Sequence, residues 1–218
     1  MTSNSNSSLI CMTIPSQYRT VHSFRHIDTI TIHTMSGNLS IESCGRLFQK
    51  PRKNASSNYG IGTDGRIALY VDEKDASWCS SNTANDERAI TIEVANDGGK
   101  STGWHISNEA FNSLVSLVVD ICRRNGIPEL RWKNDKSLIG DTSQQNMTVH
   151  RWFANKSCPG DYLISKFDTL CELVNEQLNP KTIYFVQIGA FRHKENAEKM
   201  VDRLKEAGFY CFIKKERM

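Results

Sequence analysis

Residues 27–33 read Ile-Asp-Thr-Ile-Thr-Ile-His and decide the fold, because apolar and polar residues alternate in the β-branched composition typical of a strand. The predicted strand ends at His33. A second run, Ala-Ile-Thr-Ile-Glu-Val-Ala at residues 89–95, has the same composition, and its apolar content indicates that at least one face is buried. Glu93 stands out in this run, since carboxylates are rare in buried strands.

Helix and turn patterns surround these two strands. The predicted elements are, in chain order, a helix over 41–48 capped by Ser40, a hairpin over 58–71, a helix from Ser107 to Gly126, a short strand over 147–149 and a helix beginning at Asp161. Apolar residues three and four apart define the two long helices, and a Thr-Asp-Gly turn defines the hairpin. Strands and helices intermixed in this way favour an α/β protein with a central sheet.

The last helix is broken by Asn179-Pro180, which marks a domain boundary. We therefore divide the chain into an N-terminal segment (1–24), a main domain (25–178) and a tail (179–218). The tail is predicted to be a small βαβ-like unit, with strands at 183–188 and 209–213 around one helix. About 38 residues rarely bury enough apolar surface to be stable alone, so the tail must pack on the main domain, dimerise or begin something longer.

The composition excludes several classes of protein. With 218 residues, 39% hydrophobic and 23% charged, the chain is neither disordered nor fibrous. No apolar run approaches the roughly 18–20 residues that cross a bilayer, so no membrane span is predicted. The first residues lack the charged and apolar regions of a signal peptide, so we expect synthesis in the cytoplasm without an export signal.

The net charge of +3 is unevenly distributed. From Lys181 onward the net charge is +4, and the preceding residues sum to −1. This asymmetry indicates that the tail is a separate module meeting an anionic partner, although a solvated helix face would give the same pattern. Nucleic acid is not among the predicted partners.

The seven cysteines are odd in number and scattered, which argues for reduced thiols rather than a disulfide framework. Cys122 and Cys171 fall on apolar helix faces and are interpreted as core residues. Cys158 differs because it lies in the polar segment Lys-Ser-Cys-Pro-Gly, eight residues after His150. With His33 and His150 at strand ends, it could complete a set of two imidazoles and one thiolate, which suits a catalytic zinc ion.

Four segments carry a family resemblance. They are Ile-Thr-Ile-His33, Ser-Asn-Tyr-Gly-Ile-Gly-Thr-Asp-Gly at 57–65, Ile-Thr-Ile-Glu93, and His150-Arg-Trp-Phe-Ala-Asn-Lys156-Ser-Cys158-Pro-Gly. Together they resemble the zinc-dependent N-acetylmuramoyl-L-alanine amidases of the phage-lysozyme and peptidoglycan-recognition superfamily, particularly Gram-positive endolysins and autolysins. The resemblance covers roughly residues 25–178, and it implies a central mixed β-sheet flanked by helices.

The resemblance also implies roles for individual residues. His33, His150 and Cys158 match the zinc ligands, and Glu93 matches the acidic residue that serves Gram-positive members as general base and then acid. Lys156 matches a lysine that holds the substrate carbonyl or the oxyanion.

Aromatic residues are the candidates for substrate contact. Members of the phage-lysozyme type use a tyrosine near the second strand; the matching position here is Ser57, and Tyr59 follows two residues later. Tyr59 and Trp152 are predicted to contact the substrate. Among Trp78, Trp104 and Trp152, any could stack on a sugar, but aromatic packing is expected for two of the three.

The tail resembles the first half of a SPOR module, through Phe-Val-Gln-Ile-Gly-Ala-Phe at 185–191 and Leu-Lys-Glu-Ala-Gly-Phe at 204–209. That family has two βαβ halves and binds glycan strands stripped of peptides, so peptidoglycan is the implied partner. With one half present, a homodimer formed through the tail is one arrangement that would complete the module.

The expected reaction is hydrolysis of the amide between N-acetylmuramic acid and L-alanine of peptidoglycan, with lysis of the cell wall. Without an export signal, the protein would reach the wall through a holin or a lysed envelope, as phage or prophage endolysins do. Two alternatives are a non-catalytic peptidoglycan-binding protein of the same fold and a cysteine peptidase using Cys158 and His150 as nucleophile and base.

Overall fold

The computed structural model describes residues 5–180 and 186–215. The chain splits into two compact units, Met1–Pro180 and Lys181–Met218. The strands are β1 (Met12–Thr13), β2 (Arg19–Thr20), β3 (Thr29–Thr34), β4 (Tyr59–Ile61), β5 (Ile67–Leu69), β6 (Ala76–Ser77), β7 (Ala89–Val94) and β8 (Met147–Val149). The α-helices are α1 (Ile41–Gln49), α2 (Thr83–Asp86), α3 (Asn108–Asn125), α4 (Asp161–Leu178) and α5 (Lys194–Glu206).

A six-stranded mixed sheet forms the centre of the first unit, in the order β1-β5-β4-β7-β3-β8. Strands β4, β7, β3 and β8 run parallel, and β5 is antiparallel to β4 through the predicted hairpin. Strands β2 and β6 form a separate antiparallel pair. This architecture, a central mixed sheet flanked by helices, confirms the predicted fold class.

The two faces of the sheet have different partners. One face packs against the apolar sides of α3 and α4 and carries the larger core, which includes Ile32 and Ile92. The other face packs against α1 through a smaller cluster that includes Phe48 and Tyr70. Because side chains alternate along a strand, His33 and Glu93 point away from the larger core.

The N-terminal segment belongs to this first unit. Met12 and Thr13 form β1, which pairs in parallel with β5 at the edge of the sheet. Two residues are too few to show the alternation that identifies a strand, so no pattern in the sequence indicates β1.

The second unit differs from its predicted βαβ form in the part of the tail that is described. Helix α5 matches the predicted helix, but residues 186–188 and 209–213 form no strand, and residues 183–185 lie outside the described residues. Val186 is 82% exposed and Tyr210 98% exposed, whereas a strand needs an apolar face packed against a partner for stability. No helix in the described ranges combines the length and apolarity that a membrane span requires.

Candidate active site

Three adjacent parallel strands bring the predicted site residues together. In β3 and β7, His33 and Glu93 are register partners and share one face of the sheet. On the other side of β3, Ile32 pairs with Val149, the residue before His150. All three side chains therefore lie at the carboxyl ends of the parallel strands, where ligand sites of α/β sheets form.

A loop before α4 adds Cys158 to this group. Its Sγ lies 3.4 Å from Nδ1 of His33 and accepts a hydrogen bond from the Thr34 amide, also at 3.4 Å. The rings of His33 and His150 have centroids 5.1 Å apart. One potential ligand atom from each of His33, His150 and Cys158 lies within 4.8 Å of the others.

The loop that carries Cys158 is held by Arg151. The Arg151 amide donates to the Cys158 carbonyl at 3.1 Å, and its guanidinium donates to the Ser157 carbonyl and to Asp161. Gly160 closes the loop with φ of +91°, and a Cβ at this position would lie 2.6 Å from the Gly103 carbonyl oxygen. Only glycine fits this close approach.

The chemistry of the three ligands suits zinc. A sulfur and a nitrogen bound to tetrahedral zinc at about 2.3 Å and about 2.0 Å lie about 3.5 Å apart, close to the 3.4 Å between Cys158 Sγ and His33 Nδ1. Burial and the neighbouring His150 lower the pKa of His33 well below its ordinary value. Burial, with the charge of Lys156, also lowers the pKa of His150. Neutral imidazoles are the form that binds metal.

The Cys158 thiol needs a cation to ionise. Burial, and then the negative charge of Glu93, raise the pKa of Cys158 above its ordinary value. A metal ion removes this penalty, because a coordinating thiol is deprotonated. His33, His150 and Cys158 could therefore hold a zinc ion.

Glu93 is the carboxylate beside this ligand set. Its Oε2 is buried and has no hydrogen-bond partner among the described residues. Burial raises the pKa of Glu93 to about 8, against a smaller opposite effect of Lys53. A carboxyl group with a pKa near neutrality can accept a proton and release it again.

The site opens into a cleft of about 730 Å³. Its walls include Lys156, Trp78 and Trp104 as well as Glu93 and the exposed edges of His150 and Cys158. The structure thus brings Glu93, Lys156, His150 and Cys158 into one cavity, with His33 buried behind them.

Tyr59 does not reach this cleft, so its predicted contact with substrate is wrong. The side chain is fully buried, on the face of the sheet that packs against α3 and α4. Its hydroxyl donates to Glu73 at 2.6 Å and accepts from the Ser7 amide at 2.8 Å. The alternation of β4 explains the error, because Gly60 is the residue of that strand in register with Glu93.

Trp152 also packs instead of lining the cleft. Its ring stacks on Trp132 at a centroid distance of 5.2 Å, and it lies against the main core. Trp78 and Trp104 line the cleft. One of the three tryptophans is therefore packed away from the cleft, where two were expected to be.

Replacing Tyr59 with phenylalanine tests this correction. We expect the free energy of unfolding to fall by about 1–3 kcal/mol, because the buried Glu73 carboxylate loses one donor. Hydrolysis per folded molecule should not change. Urea unfolding and a cell-wall hydrolysis assay measure the two effects. A large loss of kcat at unchanged stability would show that Tyr59 does act in the substrate site.

Two cleft residues were missed from the sequence. Cys79 was treated as an ordinary thiol, yet its Sγ lies 4.0 Å from Glu93 Oε1 and it forms a second ligand cluster with His33 and Glu93. Ser81 lies next to His150. Both belong to the irregular segment between β6 and α2, where no periodicity indicates which side chains face the cleft.

Comparisons with known proteins agree with this geometry. A family model described as N-acetylmuramoyl-L-alanine amidase matches residues 23–161, and a SPOR domain model matches residues 180–217. No curated protein matches this sequence closely enough to count as a relative.

Several solved structures share the fold. A mutant endolysin from Bacillus subtilis has 14% identity and a TM-score of 0.55, covering 76% of this chain and 99% of its own. An AmpD derivative has 17% identity and a TM-score of 0.56, covering 78% and 98%. The Staphylococcus aureus hydrolase AmiA has 15% identity and a TM-score of 0.57, covering 79% and 85%. Identities this low support the fold, whereas the family model covers well over half of the chain, and the protein belongs to the N-acetylmuramoyl-L-alanine amidase family.

Proposed function

We propose that this amidase hydrolyses the bond between N-acetylmuramic acid and L-alanine with a zinc ion held by His33, His150 and Cys158. The convergence of these three side chains beside Glu93, at the carboxyl ends of parallel strands, carries the proposal. When bound, zinc would polarise the scissile carbonyl and acidify a water molecule.

Glu93 is proposed as the general base and acid. Its carboxylate takes the proton from the attacking water and then passes it to the leaving amine of L-alanine. Burial in the cleft wall and the unpartnered Oε2 leave one oxygen free for this proton. Burial raises the pKa of Glu93 to about 8, so the carboxyl group can hold this proton until the amine leaves.

Lys156 is proposed to stabilise the oxyanion. It lines the same cleft as Glu93 and is exposed, and its charge is felt by His150. A cation at this place lowers the energy of the negative charge that develops on the carbonyl oxygen in the transition state.

Replacing Lys156 with methionine should lower kcat by about 10²–10³-fold, the usual cost of one oxyanion donor, with a smaller change in KM. Zinc content should stay the same, because Lys156 is not a ligand. Lys166→Met, on α4 and outside the cleft, is the matched control. Equal kcat values for Lys156→Met and the control would show that Lys156 does not stabilise the oxyanion.

One digestion experiment tests the reaction itself. Purified peptidoglycan treated with the protein should release intact stem peptides with a free L-alanine amino terminus and leave glycan chains uncut, as measured by mass spectrometry. Treatment with a zinc chelator should stop the reaction, and added zinc should restore it. Undiminished release after chelation would overturn the metal proposal, and no release under any condition would favour a non-catalytic binding protein.

The cysteine peptidase alternative is not favoured by the geometry. Cys158 Sγ contacts Nδ1 of the buried His33 at 3.4 Å, whereas the expected base, His150, is hydrogen-bonded to Ser81. Burial raises the pKa of the Cys158 thiol, which opposes the thiolate a nucleophile requires.

The tail is proposed as a peptidoglycan-binding module, on the strength of the SPOR match and its excess of basic residues. We retain the proposed division into residues 1–24, 25–178 and 179–218. We also propose that the protein forms a homodimer through the tail. We further propose a phage or prophage endolysin that lyses the cell after release through a holin.

A further inference from the structure

We propose that Ser81 is a positioning residue that fixes the ring of His150 for metal binding. The proposal rests on the metal site of the proposed function and adds a residue outside its ligand set. The observations that carry it are a hydrogen bond, an unusual backbone conformation and a network that holds the loop in place.

The hydrogen bond joins Ser81 Oγ to Nε2 of His150 at 3.0 Å. An imidazole has two ring nitrogens, so a partner on Nε2 leaves Nδ1 as the nitrogen available to a metal. His33 likewise directs its Nδ1 towards the site, 3.4 Å from Cys158 Sγ. If Nδ1 held the metal, Nε2 of His150 would carry the proton and donate a hydrogen bond to the Ser81 hydroxyl. Such outer partners set the tautomer and orientation of ligand histidines.

The backbone of Ser81 is in the left-handed region, with φ of +63°. Residues with a Cβ are uncommon there, whereas glycine adopts this conformation without steric cost. Serine therefore has a steric cost at this position that glycine would not have, and it supplies a hydroxyl that glycine lacks. Strained residues of this kind concentrate at functional sites.

The residues on both sides of Ser81 are held in place by hydrogen bonds. The buried Asp86 carboxylate accepts from the amides of Cys79 and Ser80, at 3.0 and 3.1 Å. On the other side, Asn82 caps α2 by accepting from the Asn85 amide at 2.9 Å. Ser81 is exposed to solvent, so a mobile hydroxyl would exchange its partner for water. The anchored loop instead presents the hydroxyl to His150 in one place.

Substitution of Ser81 by glycine distinguishes a role in positioning His150 from a role in the stability of the fold. Glycine removes the hydroxyl and also relieves the backbone strain, so the metal-free protein should melt at the same temperature or higher. If Ser81 positions His150, zinc affinity should nevertheless fall by about 10–100-fold. Ser81→Ala removes the hydroxyl but keeps the Cβ, and it should lose zinc affinity to a similar extent. Ser36→Gly, on the same cleft wall, is the control and should bind zinc as the wild type does.

The measurements are the zinc dissociation constant, from competition with a chromophoric chelator, and the His150 tautomer, from nitrogen NMR of the zinc-loaded protein. The wild type should show a protonated Nε2, and the Ser81 variants a mixed or mobile ring. Unchanged zinc affinity and an unchanged tautomer in both variants would overturn the proposal. A wild type that binds no zinc would overturn the metal site itself, so the two failures are distinguishable.

Discussion

Replacing Cys158 with serine is expected to remove the bound metal and reduce amide hydrolysis to background. In the proposed metal site the thiolate is one of three ligands, and a hydroxyl at this place is a poor substitute because it does not ionise near neutral pH. The loss of activity should exceed about 10–100-fold, which is the usual effect of removing a residue that hydrogen-bonds a metal ligand without being one. Zinc content by elemental mass spectrometry and release of stem peptides from peptidoglycan measure the two effects.

Cys11→Ser is the matched control for this experiment, since Cys11 is an exposed thiol in the N-terminal segment. It should keep one zinc ion per chain and full activity. Retention of zinc by Cys158→Ser would show that the thiolate is not a ligand. Loss of activity with zinc retained would instead point to a direct chemical role of the sulfur.

Replacing Glu93 with glutamine is expected to lower kcat by about 10²–10⁴-fold, the range for a general acid or base, while zinc stays bound. The amide keeps the shape of the side chain but cannot take the proton from water. Glu172→Gln, on the exposed side of α4, should change neither activity nor zinc content. Full activity of Glu93→Gln would remove the proposed role.

The same substitution should stabilise the metal-free protein increasingly as the pH rises above 4.5. Burial raises the pKa of Glu93 from its ordinary 4.5 to about 8. Between these two values the unfolded chain gives up this proton while the folded protein keeps it, so rising pH lowers the free energy of unfolding. The wild type should therefore match Glu93→Gln below pH 4.5 and fall behind it by up to a few kcal/mol at pH 8. Urea unfolding at the two pH values tests this, and a constant difference would contradict it.

The local patterns around His33 and Glu93 were sufficient to predict both strands, and the predicted long helices are α3 and α4. Alternation also implies that His33 and Glu93 face away from their isoleucine neighbours. Sequence alone could not pair β3 with both β7 and β8, because register depends on contacts between distant segments.

The site residues that were wrongly predicted or missed are also explained by contacts between distant segments. Tyr59 and Trp152 are large aromatic residues near the site in sequence, but strand alternation buries one and stacking on Trp132 removes the other. Cys79 and Ser81 lie in an irregular segment whose conformation is set by the buried Asp86 carboxylate. Such tertiary hydrogen bonds leave no periodic signal in the sequence.

The proposed ligands His33, on β3, and His150, after β8, come from distant parts of the chain and meet only through the parallel pairing of these two strands. A nascent polypeptide therefore cannot assemble the proposed site of His33, His150 and Cys158 until translation has passed Cys158 and the sheet has formed. Metal uptake should be the last event of maturation, and it should slow unfolding of the finished protein rather than speed its assembly.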